Sequence, residues 1–335
     1  LPAILAGKDV RAQAKTGSGK TAAFGLGLLQ RIDAKQFNTQ SLVLCPTREL
    51  ADQVANELRR LARFLPNIKI LTLCGGVPFS IQRDSLIHAA HIIVATPGRL
   101  LDHLNKQTVT LADVKTLVLD EADRMLDMGF FDDISDIISQ MSTQRQTLLF
   151  SATWPDEIAK ISRKIQQDPV TIEINSPDEL PAVEQQFYEI SRYGKLGLLQ
   201  KLLSHHQPNS CVVFCNTKRD CQDVYEALTE SNQSVLALHG DMEQKERDQT
   251  LIRFANGSCR VLVATDVAAR GLDIKALEMV INYELSHDPE VHIHRIGRTA
   301  RAGESGLAIS FCAPEEIPRA NALEEMRSEE RRVGK

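Results

Sequence analysis

Residues 14–21 read A-K-T-G-S-G-K-T, a glycine-rich turn between a short strand-like run and a stretch of helical character. Such a turn leaves several backbone N–H groups pointing at one spot, with the positive end of a helix dipole behind them. This pattern predicts a phosphate site in which Lys20 reaches the β- and γ-phosphates of a nucleotide and Thr21 ligates Mg²⁺. The pattern usually opens on glycine, where this chain has Ala14. The alternative is a glycine- and serine-rich surface loop.

Short apolar runs alternate with amphipathic helical stretches along the whole chain, which predicts repeated βα units and parallel sheets. The predicted strands are 10–14, 42–45, 70–74, 92–95, 116–119, 146–150 and 170–174 in the first half, and 211–215, 235–238, 260–264, 279–283 and 307–311 in the second. A polar segment with two prolines, residues 176–182, is the predicted linker. We therefore expect an α/β fold with two tandem domains, residues 1–175 and 183–326, each an open parallel sheet flanked by helices.

The composition is that of a globular protein, with 335 residues, 43% apolar and 5% aromatic, so we expect aliphatic cores. No apolar run approaches membrane-spanning length. A net charge of −5 argues against a generally basic surface, so any nucleic-acid site must be a local patch. The seven cysteines are scattered, several of them inside apolar runs, which favours reduced core thiols in a cytoplasmic protein.

Two metal sites are weaker alternatives. Cys211, Cys215 and Cys221 could be ligands, but the first two flank the apolar run 212–214, which indicates a buried strand. His287, His292 and His294 lie close in sequence, but no acidic or cysteine partner completes a ligand set.

The acidic run D-E-A-D at 120–123 directly follows the apolar strand 117–119. A carboxylate at the carboxyl end of a strand in an open α/β sheet lies in the ligand crevice. We expect Asp120 to hold Mg²⁺ through water and Glu121 to act as general base on the attacking water. An acidic helix N-terminus is the alternative interpretation.

Further short motifs follow one another along the chain. They read P-T-R-E-L-A at 46–51, T-P-G-R at 96–99, S-A-T at 151–153, F-C-N-T at 214–217, A-T-D-V-A-A-R-G-L-D at 264–273 and H-R-I-G-R-T-A-R-A-G at 294–303. Together with residues 14–21 and 120–123, and in this order, they resemble the two-RecA-domain core of the DEAD-box RNA helicases. The resemblance covers residues 1 to about 326. It implies an ATP-dependent RNA helicase that uses ATP, Mg²⁺ and RNA.

The first half carries phosphate, metal and base residues but no obvious arginine to neutralise transition-state charge. The resemblance assigns that role to Arg298 and Arg301, which are three residues apart and so could project from one helical face. Surface arginines paired with Glu304 are the alternative, and the family usually has glycine where Ala300 stands. The predicted catalytic set is Lys20, Asp120, Glu121, Arg298 and Arg301. The predicted nucleotide contacts are Ala14, Lys15, Thr16, Gly17, Ser18, Gly19, Lys20, Thr21, Gly271 and, as the ribose contact implied by the resemblance, Asp273.

Ser151 and Thr153 follow a strand that ends in the same crevice as Asp120. Their hydroxyls could bond Asp123 and His294, which would couple the nucleotide state to closure of the two domains. An N-cap for a helix near 155–161 is a compatible alternative.

RNA contact is expected at phosphate and sugar, because a general unwinding enzyme cannot depend on one base sequence. The candidates that follow strands in the first half are Pro46, Thr47, Arg48, Gly75, Gly76, Thr96, Pro97 and Arg99. A plain turn at Gly75 and Gly76 and a plain loop at 97–98 are the alternatives. In the second half the resemblance adds Thr217, Arg219, Gly240, Gln244, Arg247 and Thr265.

Within the family, the amino-acid sequence between the motifs is most similar to a bacterial branch that acts in large-ribosomal-subunit assembly. That resemblance implies 23S ribosomal RNA and the pre-ribosomal particle as partners of a monomeric protein. A glutamine motif for adenine recognition is expected upstream of Leu1. The branch also carries a C-terminal RNA-targeting domain, which we expect to be absent here. We therefore expect weakened adenine selectivity and no site-specific targeting. The segment 327–335 breaks the pattern and is predicted to be a non-native tail, with a solvated helix end as the alternative.

Three other functions are weighed against the helicase. An ATP-gated RNA clamp with slow hydrolysis is disfavoured by the presence of Glu121, Arg298 and Arg301. A GTPase switch would need N-K-x-D, but residues 105–108 read N-K-Q-T, and the L-S-G-G-Q signature of transport ATPases is absent. A DNA helicase is an alternative of the same class.

Overall fold

The structure is a computed structural model that describes residues 1–14, 18–174, 183–269, 277–286, 288–299 and 306–323. The chain divides into two compact units, Leu1–Asn175 and Ser176–Lys335. The predicted linker 176–182 and the predicted tail 327–335 lie outside the described residues, so these two assignments stay predictions.

The described part of the first unit alternates strands and helices. The strands are β1 (Val10–Gln13), β2 (Ser41–Leu44), β3 (Ile70–Leu73), β4 (Ile92–Ala95), β5 (Thr116–Leu119), β6 (Gln146–Ser151) and β7 (Val170–Glu173). The helices are α1 (Pro2–Leu5), α2 (Lys20–Arg31), α3 (Arg48–Leu61), α4 (Phe79–Ser85), α5 (Pro97–Asn105), α6 (Ala122–Asp127), α7 (Phe131–Ser139) and α8 (Asp156–Ile165).

The seven strands of the first unit form one sheet in the order β3-β4-β2-β5-β6-β1-β7, and every pairing is parallel. Successive residues of a strand point to opposite faces, so Leu42 and Leu44 pack in one core cluster while Val43 packs in the other. Helices α2 and α3 cover the face of Val43, and α5, α7 and α8 cover the opposite face. Both faces are buried, which is why the central strands read as continuous apolar runs.

The described part of the second unit has the same construction. Its strands are β8 (Val183–Glu189), β9 (Cys211–Cys215), β10 (Val235–Leu238), β11 (Val261–Thr265), β12 (Met279–Asn282) and β13 (Gly306–Cys312). Its helices are α9 (Lys195–His206), α10 (Lys218–Glu230), α11 (Gln244–Ala255), α12 (Asp266–Ala269) and α13 (Pro289–Ile296). The strands form a parallel sheet in the order β10-β11-β9-β12-β13-β8.

The two cores of the second unit also lie on opposite faces of its sheet. Val213 packs with α9 and α10, whereas Val212 packs with α11 and α12. The predicted fold class, two tandem RecA-like α/β domains with open parallel sheets flanked by helices, is confirmed.

Three local features differ from the sequence-based expectations. Strand β8 was not predicted, because its sequence V-E-Q-Q-F-Y-E is largely polar; it lies at the edge of the second sheet, where Phe187 and Tyr188 pack against different core clusters. Helix α8 begins after Pro155, whose side chain makes no capping hydrogen bond, so Ser151 and Thr153 are not its N-cap. Helix α13 ends at Ile296, so Arg298 lies in the turn beyond it and not on a helix, as the predicted helical face would require, while Arg301 lies outside the described residues.

No helix in the described part of the chain has the length and apolar character that crossing a bilayer requires.

Candidate functional site

The predicted phosphate, metal and base residues of the first unit meet at one edge of its sheet. Strands β5, β6 and β1 are direct neighbours and run parallel, so the loops that follow them leave the same edge. Lys20 begins helix α2 after Gly19, whose φ of 81° lies in the left-handed region that glycine tolerates. The Lys20 ammonium donates to the Ala14 carbonyl at 3.2 Å and lies 3.8 Å from Asp120 Oδ1. The sheet therefore brings Ala14 and Lys20, near the two ends of the predicted phosphate turn, close to Asp120.

Asp120 is a buried carboxylate that follows strand β5 with 2% of its surface exposed. Burial raises the pKa of Asp120 to about 6, and the Lys20 ammonium opposes that rise. Oxygen ligands of this kind suit Mg²⁺, which is bound through one or two carboxylates and the phosphates of a substrate. Asp120 and the hydroxyl of Thr21, in the first turn of α2, are thus a donor set that fits this ion.

Glu121 adopts a left-handed backbone conformation, with φ 52° and ψ 54°, that is unusual for a residue with a side chain. Its carboxylate is 7% exposed and pairs with Arg124, one turn along α6, at 2.6 Å between Oε2 and Nη1. The turn directs two consecutive acids to the carboxyl edge of the sheet, and Arg124 holds the second of them in place.

Asp123 ties the loop after β5 to the loop after β6. Its Oδ2 accepts hydrogen bonds from the backbone amides of Ala152 and Thr153, at 3.0 and 2.9 Å, and from the Thr153 hydroxyl at 3.2 Å. The Ser151 hydroxyl accepts in turn from the Asp123 amide at 3.2 Å. The contact predicted between these two loops is present within the first unit.

Three residues of the predicted phosphate turn, Lys15, Thr16 and Gly17, lie outside the described residues. The described residues on either side are Ala14, which is buried, and Ser18, which is exposed. The Ala14 amide donates to the Ser151 carbonyl at 3.0 Å, and the side chain of Gln13 donates to the Ala152 carbonyl at 3.1 Å. The turn is therefore attached to the loop that also receives Asp123.

The predicted RNA contacts of the first unit follow β2, β3 and β4, which are neighbours in the order β3-β4-β2. Pro46 is buried, Thr47 is half-buried, and the Thr47 hydroxyl caps helix α3 by accepting from the Leu50 amide at 3.3 Å. Arg48 is half-buried and lies 3.5 Å from Asp52. Thr96 and Pro97 begin α5 beside them. All the candidates of this unit therefore lie at the same edge as the predicted nucleotide residues, on the adjoining half of the sheet.

Gly75 and Gly76 form an exposed turn after β3. The φ of Gly76 is 78°, which favours glycine, whereas a Cβ added at Gly75 would have nothing within 4 Å. Arg99, on α5, reaches this turn, because its Nη1 donates to the Val77 carbonyl at 2.7 Å. The structure thus joins two of the predicted RNA-contact segments directly.

In the second unit, Thr217, Gly240 and Thr265 follow or end the neighbouring strands β9, β10 and β11. The Thr217 hydroxyl caps α10 by accepting from the Asp220 amide at 3.1 Å. Gly240 is exposed, and Thr265 is buried. These three residues lie at one edge of the second sheet.

The remaining predicted RNA contacts of this unit lie on α10 and α11. The Gln244 side chain bonds Asp248 at 3.0 Å, and the Arg247 guanidinium donates to the His239 carbonyl at 3.4 Å. Arg219 is exposed and lies 4.0 Å from Asp223, so its side chain faces solvent.

His294 is exposed on α13, and Arg298 is buried in the turn after it, where its carbonyl accepts from the Leu277 amide at 3.1 Å. The predicted residues Gly271, Asp273 and Arg301 lie outside the described residues.

The sequence analysis did not single out Arg295, which is 2% exposed and organises the second unit's edge. Its Nε and Nη2 pair with both oxygens of Asp266, at 2.6 and 2.7 Å. Its Nη2 also donates to Asn216 at 2.8 Å, and its Nη1 donates to the Glu284 carbonyl at 2.7 Å. Asn216 precedes Thr217 and Asp266 follows Thr265, so one buried arginine connects two predicted RNA-contact segments to α13. Its signal in the sequence is the spacing of 292 and 295, two buried positions three residues apart on helix α13.

All seven cysteines are buried, and burial raises the pKa of Cys211 and of Cys215 well above the usual range. Among the described residues, no group of three or more His, Cys, Asp and Glu side chains is arranged to hold a metal ion.

Two family models match the chain. The DEAD/DEAH box helicase model matches residues 1–161, and the helicase conserved C-terminal domain model matches residues 194–303. The chain is 75% identical over 326 residues to the ATP-dependent RNA helicase DbpA of Escherichia coli K12, covering 97% of this chain and 71% of that protein. It is 45% identical to the ATP-dependent RNA helicase CshA of Listeria monocytogenes, covering 97% of this chain and 62% of that protein.

The structure is similar to that of Dbp5 of Saccharomyces cerevisiae bound to RNA and ADP BeF3, with a TM-score of 0.85 and 33% identity over 95% of this chain and 83% of that one. It is also similar to a DEAD box protein from Methanococcus jannaschii, with a TM-score of 0.56 and 38% identity over 97% of this chain and 88% of that one.

Proposed function

Because this chain belongs to the DEAD-box family of ATP-dependent RNA helicases, we propose that it hydrolyses ATP in response to RNA and locally separates short RNA duplexes. The observation that carries the proposal is the strand order of the first unit. Its sheet puts the nucleotide residues after β5, β6 and β1 and the RNA candidates after β3, β4 and β2 on one edge. A change at one set can therefore reach the other through adjacent loops.

In the proposed ATP site, the backbone of residues 14–19 and the Lys20 ammonium bind the phosphates. Thr21 and Asp120 hold Mg²⁺, which when bound supplies positive charge to the phosphate oxygens. Lys20 already lies 3.8 Å from Asp120, so a phosphate that binds between them exchanges one ionic partner of Lys20 for another. Gly271 and Asp273, which lie outside the described residues, are the further proposed nucleotide contacts.

Glu121 is the proposed general base that removes a proton from the attacking water. Its ion pair with Arg124, at 2.6 Å, orients the carboxylate. Arg298 and Arg301 are assigned the neutralisation of transition-state charge, so hydrolysis requires both units of the chain.

Asp123, Ser151, Thr153 and His294 are the proposed coupling residues. The supporting contacts are the hydrogen bonds from Thr153 and Ala152 to the Asp123 carboxylate, which make the loops after β5 and β6 move together. His294 is the proposed counterpart on the second unit.

RNA is proposed to bind through its phosphates and sugars. Gly75 supports this, because a Cβ there would have nothing within 4 Å, so the absence of a side chain serves the approach of a ligand better than internal packing. Arg48 and Arg99 are half-buried and are proposed to supply positive charge for phosphate. In the second unit the proposed contacts are Thr217, Arg219, Gly240, Gln244, Arg247 and Thr265.

We further propose that the RNA is 23S ribosomal RNA in a pre-ribosomal particle of the cytoplasm, and that the protein acts as a monomer. The support is the 75% identity to DbpA across 326 residues.

An ATP-gated RNA clamp with slow hydrolysis is the second candidate. The observation in its favour is the pairing of Glu121 with Arg124, since a carboxylate held by a guanidinium is less free to turn towards a water molecule.

The test is ATP hydrolysis by the chain with and without single-stranded and ribosomal RNA, beside the Glu121→Gln variant. We expect strong stimulation by RNA and a loss of about 10²–10⁴-fold in turnover in the variant, the range for removal of a general base. A rate of ATP hydrolysis that is the same with and without RNA would contradict the proposal. Slow hydrolysis together with tight ATP-dependent RNA binding would favour the clamp.

A further inference from the structure

We propose that Gln82 is a positioning residue for RNA binding, which fixes Arg99 and the turn at Gly75 and Gly76 as one preformed phosphate-binding surface. The inference deepens the proposed function and rests on it. Gln82 lies on α4, outside every motif singled out in the sequence, and is 3% exposed.

The two ends of the Gln82 amide bind different segments. Its Nε2 donates to the Cys74 carbonyl at 2.8 Å, directly before the two glycines. Its Oε1 accepts from Arg99 Nη1 at 2.8 Å, and the same Nη1 donates to the Val77 carbonyl, directly after the glycines. The chain on both sides of the glycine turn is therefore tied to one amide and one guanidinium.

The orientation of this amide is fixed by chemistry. Its Oε1 also lies 3.1 Å from His103 Nε2, and since an amide oxygen only accepts, that nitrogen must carry the proton. If the amide were turned over, its NH₂ group would face the Arg99 donor and its oxygen would face the Cys74 carbonyl. Both contacts would become repulsive, so a single arrangement satisfies all three partners.

The surroundings of His103 make the arrangement rigid. The ring is fully buried, stacks on Phe79 with centroids 4.2 Å apart, and contacts the Thr108 hydroxyl with its other nitrogen at 2.7 Å. A guanidinium carries five N–H donors, and both hydrogen bonds described here use Nη1 alone. Arg99 is thus held through Nη1, while its other N–H groups can donate hydrogen bonds to a phosphate.

Preorganisation of this kind raises affinity, because less conformational freedom is lost when the ligand binds. If Gln82 served only to stabilise the fold, its replacement would lower stability without acting through Arg99. The two roles can be separated with a double-mutant cycle, since coupling appears only between residues that act together.

The experiment measures the dissociation constant of a fluorescent single-stranded RNA in the presence of a non-hydrolysable ATP analogue. The variants are Gln82→Met, Arg99→Ala and the double variant. The matched control is Gln40→Met, because Gln40 is also a buried glutamine with three hydrogen bonds, at the start of β2 and so at the opposite edge of the sheet.

We expect Gln82→Met to weaken RNA binding by about tenfold in the otherwise unchanged chain and by no more than about threefold beside Arg99→Ala. Gln40→Met should leave RNA affinity unchanged despite a similar loss of stability. An equal loss in both backgrounds, or a loss no larger than that of Gln40→Met, would overturn the inference. An unchanged affinity in Arg99→Ala would instead overturn the RNA role of Arg99.

Gln82→Glu provides a second variant of almost the same shape, should Gln82→Met fail to fold. The carboxylate cannot donate to the Cys74 carbonyl, and it would compete with phosphate for Arg99. We expect weaker RNA binding here too, and an affinity equal to that of the unchanged chain would overturn the inference.

Discussion

Asp123 and Thr153 are joined by two hydrogen bonds, since the carboxylate Oδ2 accepts from both the Thr153 amide at 2.9 Å and its hydroxyl at 3.2 Å. The two residues follow neighbouring strands of the first unit, β5 and β6. A third bond, from the Ala152 amide, makes the same oxygen the acceptor for three donors. Hydrogen bonds therefore join the loop after β5, which carries the proposed base, to the loop after β6, which is proposed to report the nucleotide state.

The first prediction is that Asp123→Asn destabilises the chain by about 2 kcal/mol, because an amide offers a single acceptor oxygen and hydrogen bonds to a charged group are the strong ones. Urea unfolding followed by circular dichroism measures the loss. Asp113→Asn, at an exposed position, is the control and should have almost no effect. Equal stability of the two variants would show that the Asp123 contacts contribute nothing to the fold.

The second prediction concerns the buried ion pair of Arg295 with Asp266. Arg295→Met leaves the Asp266 carboxylate without its bidentate partner and should cost about 3–5 kcal/mol. Arg295→Lys should cost less, since an ammonium can pair with Asp266 but cannot also reach Asn216 with the same geometry. The measurement is again the free energy of unfolding, with Arg253→Met at an exposed site as the control. If Arg295→Met has the same free energy of unfolding as the unchanged chain, the role assigned to the network would be contradicted.

The third prediction is a pH dependence that comes from His292. Burial, and then the nearby Arg295, lower its pKa to about 4, and neither ring nitrogen has a hydrogen-bond partner within the described ranges. In the unfolded chain a histidine has a pKa near 6.5, so between about pH 6.5 and 4 His292 is protonated in the unfolded chain but not in the folded chain. Stability should fall as the pH drops from about 6.5 towards 4, by up to about 3 kcal/mol.

The measurement for His292 is the unfolding free energy between pH 7 and 4. His292→Phe should flatten the part of the curve that His292 causes, while His206→Phe, at an exposed position of α9, should leave the curve as it is. A curve that keeps its slope in His292→Phe would assign the dependence to other groups.

The fourth prediction separates binding from folding at Gly75. Gly75→Ala adds a methyl group where nothing lies within 4 Å, so stability should change by less than about 0.5 kcal/mol. RNA affinity should fall by about tenfold, equivalent to about 1.4 kcal/mol, because the methyl occupies the space a phosphate backbone needs.

Gly197→Ala is the control for Gly75→Ala, since a Cβ at Gly197 is also unobstructed but lies in helix α9 of the second unit. It should stabilise the chain slightly and leave RNA binding unchanged. Unchanged RNA affinity in Gly75→Ala would remove this turn from the RNA surface.

The sequence predicted the strands that are buried on both faces, because runs such as Ile92–Ala95 are apolar throughout. It could not predict β8, whose outward residues are polar, or the order of strands in either sheet. That order depends on packing between distant segments, and it is what brings Asp120, Asp123 and Ser151 to the same edge as Arg99. Short motifs identified those residues individually, but nothing local to them indicates which loops become neighbours.

Supporting residues were the harder class to predict. Arg295 lies in the same motif as His294 and Arg298, and the functional roles were assigned to those two residues. A buried position was not expected for Arg295, because charged residues are rarely found in a core. Gln82 and Arg124 lie outside the motifs or at their margins, and their roles depend on partners up to 21 residues away in the chain. Such contacts become visible only when the loops have been assembled.

The central claim is that ATP hydrolysis by this chain separates RNA strands. The most direct measurement is strand separation of a short fluorescent RNA duplex beside a DNA duplex of the same sequence, with ATP, with a non-hydrolysable analogue, and with the Glu121→Gln variant. The account predicts separation of the RNA duplex at a rate that increases with ATP and is largely lost in Glu121→Gln, with little separation of the DNA duplex. Tight ATP-dependent RNA binding without strand separation would contradict the claim and support a clamp, and equal separation of the DNA duplex would contradict the assignment of RNA as the substrate.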